Sequence, residues 1–221
     1  MVADYVYKHN PEVKQKIIDL SLTDKNKRSN YLSDEVGSFN PDIIAFSWRD
    51  VQIFAPHEED VSFQKAIRFY YSPSILKRIG ASVNGLKGLI KYEGIIKENL
   101  SYLNLIKEKY PQKQILLGGP AFSVFYEQLI NRCPDGTIGV VGEGEDVVSK
   151  LIKGEDILKN RVVIKKGNEI VKGDEKSFLG GDKLEAIDYD YISSIFPQFS
   201  EYLSDLVGVQ TKRGCVQKCI F

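Results

Sequence analysis

The sequence is poor in the residues that build histidine metal sites and disulfide frameworks. Its 221 residues include three cysteines and only two histidines, His9 and His57. Two histidines exclude a histidine-rich metal site, and an odd number of cysteines without paired spacing fits a reducing cytosol, so we predict a cytoplasmic protein. No apolar run reaches the roughly 18 residues of a membrane span, and the first residues do not resemble a signal peptide.

Net charge is also absent. The 30 lysines and arginines balance 30 aspartates and glutamates, which argues against a nucleic-acid partner held by bulk electrostatics. Apolar residues make up 43% of the chain, enough for the buried core of one ordinary domain with a smaller attachment.

Short apolar runs alternate with helical patterns through the first two thirds of the chain. The clearest buried strand is predicted at 41–47, and two more are predicted at 114–120 and 137–141. Strands that alternate with helices predict an α/β fold, a doubly wound parallel sheet with helices on both faces. Residues 2–7 fit either a strand or the last turns of a helix. The other predicted elements are a strand at 16–20, helices at 30–38, 61–70, 73–80, 93–110, 122–132 and 146–152, a hairpin at 161–172 and a last strand at 206–211.

Three loops that follow predicted strands are the candidate binding residues. In an open parallel sheet, ligands bind at the carboxyl ends of the strands, where backbone N–H groups before each helix hold polar groups. A single Gly-Gly turn is more often structural than ligand-binding, but three such loops in register are stronger evidence. The loops are Ser47, Trp48 and Arg49; Gly118, Gly119, Pro120, Ala121 and Phe122; and Gly142, Glu143, Gly144 and Glu145.

Cys215 and Cys219 form the candidate metal site. Two cysteines four positions apart on a tight loop can aim both sulfurs at one metal ion or cluster, provided that a third ligand joins them. The sequence has no third ligand nearby. The alternative is a pair of surface cysteines near a frayed chain end.

These motifs together resemble one enzyme family. Arg-Gly-Cys-x-x-x-Cys-x-Phe at 213–221 resembles the start of the cluster motif of radical S-adenosylmethionine enzymes, whose third cysteine would be residue 222. The strand-Gly-Gly-Pro turn, Gly-Glu-Gly-Glu and the Tyr-Asp-Tyr linker resemble the cobalamin-binding members, so the resemblance covers most of residues 40–221. It implies a Rossmann-like (flavodoxin-like) cobalamin domain at 1–155, a hairpin and linker at 156–205, and the first strand of a truncated TIM-type barrel at 206–221.

The resemblance implies a function and its cofactors. Such enzymes use a [4Fe–4S] cluster to cleave S-adenosylmethionine and make a substrate radical, and most are methyltransferases in which methylcobalamin donates the methyl group. The twelve loop residues would contact cobalamin, and Cys215 and Cys219 would ligate the cluster. Because two thiolates leave the cluster under-ligated, we expect this chain alone to be inactive and to hold no stable cluster. The N-terminus is also expected to be clipped, with a sheet strand missing.

Departures from the family pattern keep alternatives open. Ala121 stands where the family usually has histidine, and there is no Asp-x-His-x-x-Gly motif, so cobalamin would bind without histidine on cobalt. Trp48 or Arg49 would then cover the lower face, unless Trp48 belongs to the core. Glu143 and Glu145 either accept hydrogen bonds from corrin amides or complement a helix dipole, and we favour the dipole for Glu145.

Two other functions are considered. One is a domain that has lost cobalamin and only recognises a substrate or partner, which the missing histidine favours. The other is a methylthiotransferase-like enzyme with a second cluster in its N-terminal domain. That enzyme needs three cysteines before the barrel, and only Cys133 is present, so we rank it last.

Overall fold

A computed structural model describes residues 1–49, 61–174 and 186–202 of the chain. These residues form an α/β fold around one five-stranded mixed open sheet, in the order β1-β2-β3-β4-β5. The strands are β1 Ile43–Ser47, β2 Gln114–Gly118, β3 Ile138–Val140, β4 Val162–Lys166 and β5 Glu169–Lys172. The α-helices are α1 Val2–His9, α2 Arg28–Phe39, α3 Val61–Tyr70, α4 Ile75–Lys109, α5 Pro120–Ile130, α6 Glu145–Ile152, α7 Tyr189–Ile195 and α8 Phe199–Tyr202.

The first three strands are parallel, as the alternating pattern predicts. Residues of β1 pair in register with β2, from Ile43 opposite Gln114 to Ser47 opposite Gly118. β2 pairs with β3 through Leu116 opposite Ile138 and Leu117 opposite Gly139. Parallel strands are buried on both faces, which is why β2 carries three consecutive buried residues.

Helices cover both faces of this sheet. On one face, Ile115 and Leu117 of β2 belong to a core cluster with Leu103 and Ile106 of α4 and Phe122 of α5. On the other face, Leu116 shares a second cluster with Ile138, Val140 and Val147, the last of these on α6. Alternate residues of one strand therefore enter opposite cores, as the two-residue period of a strand requires.

The hairpin does not stand apart from the sheet. β4 pairs antiparallel with β3, from Ile138 opposite Ile164 to Val140 opposite Val162, so the purely parallel sheet predicted from the sequence is wrong. The physical reason is that β3 has an open edge, whose N–H and C=O groups need partners. The hairpin supplies those partners and makes the sheet mixed.

The strand predicted at 16–20 is also wrong. This segment is extended, but its backbone bonds to the linker: the Ile17 N–H donates to the Ile195 carbonyl at 2.8 Å, and the Asp19 N–H donates to Gln198 Oε1 at 3.0 Å. It then enters a single 3₁₀ turn at Leu20–Leu22. An extended segment becomes a strand only when its partner is another strand, and here the partner is a helix end.

Two helices that were predicted separately form one continuous helix in the structure. The patterns at 73–80 and 93–110 belong to α4, a continuous helix of 35 residues, about 52 Å long. Its second half packs on the sheet through Leu100, Leu103 and Ile106, whereas its first half packs against α3. Within the described residues no helix has the length and apolar character needed to cross a membrane.

Candidate functional site

The three predicted loops lie at one edge of the sheet. Because β1, β2 and β3 are parallel neighbours, their carboxyl ends point in the same direction. The residues after Ser47, after Gly118 and after Val140 therefore follow one another across this edge, which we call the carboxyl edge. It is the place where open α/β sheets bind ligands.

Backbone hydrogen bonds join the first loop to the second. The Trp48 N–H donates to the Gly118 carbonyl at 2.9 Å, and the Ala121 N–H donates to the Trp48 carbonyl at 3.0 Å. The sequence predicts that N–H groups before each helix hold a ligand. At the start of α5 the first two residues offer no N–H group to a ligand, because Pro120 has none and the Ala121 N–H already donates to the Trp48 carbonyl.

Gly119 is required by this close approach. Its φ of 97° and ψ of 169° place it in a region that is essentially restricted to glycine. A Cβ atom added to Gly119 would lie 2.5 Å from the Trp48 carbonyl oxygen and 2.8 Å from its backbone nitrogen. The space beside Gly119 is thus filled by the first loop.

Ser123 joins the second loop to the third, and sequence reasoning missed it. Its Oγ donates to the Gly119 carbonyl at 2.9 Å and accepts from the Gly142 N–H at 2.8 Å. A serine in the first turn of a helix after Gly-Gly-Pro was the available signal, since such hydroxyls bond to nearby backbone groups. The bond to Gly142 spans 19 residues and is visible only in the fold.

Replacing Ser123 with alanine is expected to lower the free energy of unfolding by about 1 kcal/mol, the usual net contribution of one hydrogen bond. The matched control is Ser101→Ala, because the Ser101 hydroxyl bonds only to the Glu98 carbonyl of its own helix. Chemical denaturation of both variants measures the difference. Equal stability of the two variants would show that the bond between loops contributes nothing.

The twelve residues predicted to bind cobalamin differ in their exposure to solvent. Ser47, Arg49, Pro120 and Gly142 are exposed, and Gly118, Gly119, Glu143 and Gly144 are half-buried. Trp48, Ala121, Phe122 and Glu145 are buried, at 6% or less of their full exposure. Trp48 belongs to the hydrophobic core, so of the two residues predicted to cover cobalt, only Arg49 presents its side chain to solvent.

The predicted glycines differ in how closely other atoms approach them. A Cβ atom on Gly118 would lie 3.6 Å from Val140, and one on Gly144 would lie 3.5 Å from the Val2 side chain of α1. These are ordinary van der Waals distances, as is the 3.6 Å between a Cβ atom on Gly142 and Arg161 Nη1. Gly119 is filled by Trp48, as described above. Of the four glycines predicted to contact cobalamin, only Gly119 therefore has no room for a side chain, and Gly142 is exposed with a φ of 89°.

A further glycine, Gly139 of β3, makes room for a core side chain next to the carboxyl edge. The sequence pattern did not single it out. A Cβ atom on Gly139 would lie 2.4 Å from Cζ of the Phe122 ring. The absence of a side chain at position 139 of β3 thus leaves room for the ring. Phe122 is wholly buried and fixes the start of α5 on the sheet.

Charged groups cluster around the third loop. Glu145 and Asp146 lie in the first turn of α6, where carboxylates complement the positive end of the helix dipole. Asp146 accepts from Lys150 Nζ at 2.7 Å and from Asn160 Nδ2 at 2.8 Å. Arg161 brings a guanidinium to the same loop, since its Nη1 would lie 3.6 Å from a Cβ atom on Gly142.

The predicted cluster ligands, Cys215 and Cys219, lie outside the described residues. Cys133 is buried, and its Sγ donates to the Leu129 carbonyl at 3.3 Å. Burial raises the pKa of this thiol to about 12, so Cys133 stays protonated at neutral pH and is unsuited to bind a metal. Across the described part of the chain, no three or more His, Cys, Asp and Glu residues are grouped so that they could hold a metal ion.

Comparison with known proteins identifies no relative of this chain. No protein-family model, curated protein or solved structure matches the chain.

Proposed function

We propose that this chain is the cobalamin-binding portion of a radical S-adenosylmethionine enzyme, a methyltransferase that uses methylcobalamin and a [4Fe–4S] cluster. The observation that carries the proposal is the strand register, which pairs Ser47 with Gly118 and Leu117 with Gly139. This register brings the three loops of the family motif to one edge. The three parallel strands, with helices on both faces, are compatible with the Rossmann-like (flavodoxin-like) domain that the family implies.

The exposed residues of the carboxyl edge suit one part of cobalamin. Ser47, Arg49 and Gly142 offer a hydroxyl, a guanidinium and a backbone to the amide-rich rim of a corrin ring. Arg49 would lie toward the lower face of the ring. When bound, methylcobalamin supplies the methyl group that is transferred. The protein's share is to orient the ring and to exclude water from it, while Cys215, Cys219 and a third thiolate would hold the cluster.

A bulky residue at the edge is expected to block cobalamin binding. Ser47 is exposed at the carboxyl edge and lies opposite Gly118, so a tyrosine ring at position 47 would occupy space at this edge without replacing a core side chain. Hydroxocobalamin is titrated against the wild type and Ser47→Tyr, and binding is read from the visible spectrum. The matched control is Ser38→Tyr, because Ser38 is exposed at the end of α2, near the amino ends of the strands. We expect binding by the wild type and the control only.

A second function is favoured by a specific observation. The Trp48 backbone fills the space at Gly119 and bonds to the Ala121 N–H, so packing alone accounts for part of the glycine motif. A domain that has lost cobalamin and recognises a substrate or partner fits this finding. Wild-type protein that shows no spectral change at high hydroxocobalamin concentration would select this second function.

A further inference from the structure

The first half of α4 and all of α3 form a helical hairpin that exposes many apolar side chains. We call residues 61–92 the basic hairpin. Ile75, Ile79, Val83, Leu86 and Ile90 are between 47% and 64% exposed. Proteins rarely leave a contiguous apolar surface of this kind uncovered unless it contacts a partner or a membrane.

These five side chains form a continuous stripe. At 3.6 residues per turn they fall within about 80° of one side of α4 and extend along about 22 Å of its length. The opposite side of α4 packs on α3 through small residues, since a Cβ atom on Gly85 would lie 3.6 Å from Ala66 Cβ. Between the two helices runs an apolar groove of about 430 Å³, to which Leu86 also contributes. The stripe and the groove are therefore one surface.

The charged side chains of the basic hairpin are all positive. It contains six of the chain's 30 lysines and arginines and none of its 30 aspartates and glutamates. On α4, Lys87 and Arg78 fall on either side of the stripe, about 80–100° from its midline. A chain with no net charge thus concentrates positive charge around this exposed apolar surface.

Aromatic residues mark the tip of the basic hairpin. Tyr70 ends α3 and Tyr71 begins the turn to α4, and they are 56% and 89% exposed. Tyrosine is enriched where a membrane meets water, because its ring is apolar and its hydroxyl is polar.

We propose that the basic hairpin docks the protein on the surface of an anionic lipid bilayer. The stripe would enter the boundary between head groups and acyl chains, and the lysines and arginines would contact lipid phosphates, as in other amphipathic helices that lie on membranes. The proposal does not depend on the three loops or on cobalamin.

The composition favours a bilayer over a protein partner. Protein interfaces are depleted of lysine, whereas four of the six cationic residues of the basic hairpin are lysines, whose long stems can lie along apolar surface with the amine in water. A bilayer also accepts a stripe of side chains without requiring a matching shape. The apolar residues and the positive charge are then both accommodated by one occupant.

Vesicle sedimentation tests the proposal on the full chain. We expect binding to vesicles that contain about one third phosphatidylglycerol, and little binding to pure phosphatidylcholine. Ile79→Glu/Leu86→Glu is expected to weaken binding at least about tenfold. The matched control is Val124→Glu/Leu158→Glu, which adds the same two charges at apolar residues that are 60% and 41% exposed elsewhere. The control pair is expected to bind nearly as the wild type does.

A second pair of variants tests the charge. Lys87→Gln/Lys91→Gln is expected to reduce binding to anionic vesicles about tenfold or more. Lys153→Gln/Lys166→Gln removes the same charge from exposed positions outside the basic hairpin and is expected to have little effect. Salt near 1 M, where the Debye length is about 3 Å, should likewise weaken the binding of the wild type.

Three results would overturn the proposal. The first is a wild-type chain that does not sediment with anionic vesicles. The second is an equal loss of binding in the control variants, because that would trace the effect to total charge. The third is self-association without lipid, measured by analytical ultracentrifugation and lost in Ile79→Glu/Leu86→Glu, since a second copy would then cover the stripe.

Discussion

Gly119→Val is expected to lower the free energy of unfolding by about 3 kcal/mol or more, and to abolish the proposed cobalamin binding with it. Two effects add. Valine is forced into a backbone region that is essentially restricted to glycine, which costs about 1–3 kcal/mol. Its Cβ atom also meets the Trp48 carbonyl oxygen at 2.5 Å, and relief of that clash moves backbone at a further cost of about 1–3 kcal/mol.

The control for this variant is a glycine that nothing constrains. Gly94 lies inside α4 with no atom within 4 Å of an added Cβ, so Gly94→Ala should raise the free energy of unfolding by about 0.5–1 kcal/mol. Denaturant unfolding followed by circular dichroism measures both variants. A Gly119→Val protein as stable as the wild type would show that the first two loops do not approach as closely as described.

Phe122→Ala is expected to lower the free energy of unfolding by about 3–5 kcal/mol, the usual effect of deleting a buried aromatic ring. Phe122 is the largest fully buried side chain in the described part of the chain. Its ring holds the start of α5 against β3, so the loss should also loosen the second loop. Thermal and denaturant unfolding give the magnitude, and the exposed Val124→Ala of the same helix serves as the control.

A double-mutant cycle tests the contact that keeps Gly139 small. Gly139→Ala alone should cost about 1–3 kcal/mol through overpacking against the ring. Combined with Phe122→Leu, which removes ring atoms, it should cost clearly less than the sum of the two single changes. Strict additivity would mean that the ring does not lie on Gly139.

The first two strands could be predicted because their sequences are apolar runs, although β2 is buried at its three central residues and β1, at the edge of the sheet, is buried only at Ile44. Residues 41–47 and 114–120 read as continuous apolar runs that end in turn residues, and such runs identify parallel strands without any knowledge of their neighbours. The helix at 93–110 was visible for a similar reason, since its core face repeats every three to four residues. Predicted and observed bounds differ by a few residues at the ends.

The segment at 16–20 shows where this reasoning stops. Ile17, Ile18 and Leu20 have the composition of a strand, yet the Ile17 N–H bonds to Ile195, almost at the other end of the described chain. A local pattern shows that a segment is extended and partly buried, but not which backbone it pairs with. The same limit hid the pairing of β4 with β3.

Sequence alone determined most of the strands and helices, where glycine turns follow the strands, and which family the cysteine and Gly-Glu-Gly-Glu motifs resemble. Periodicity can do this because the apolar residues of a buried face repeat at the period of the helix or strand, whichever element that face packs against. Tertiary structure decided that the Trp48 backbone occupies the space beside Gly119, that Ser123 ties two loops together, and that Arg49 rather than Trp48 faces solvent. These facts depend on atoms far apart in the chain meeting within a few ångströms, and no local pattern records that distance.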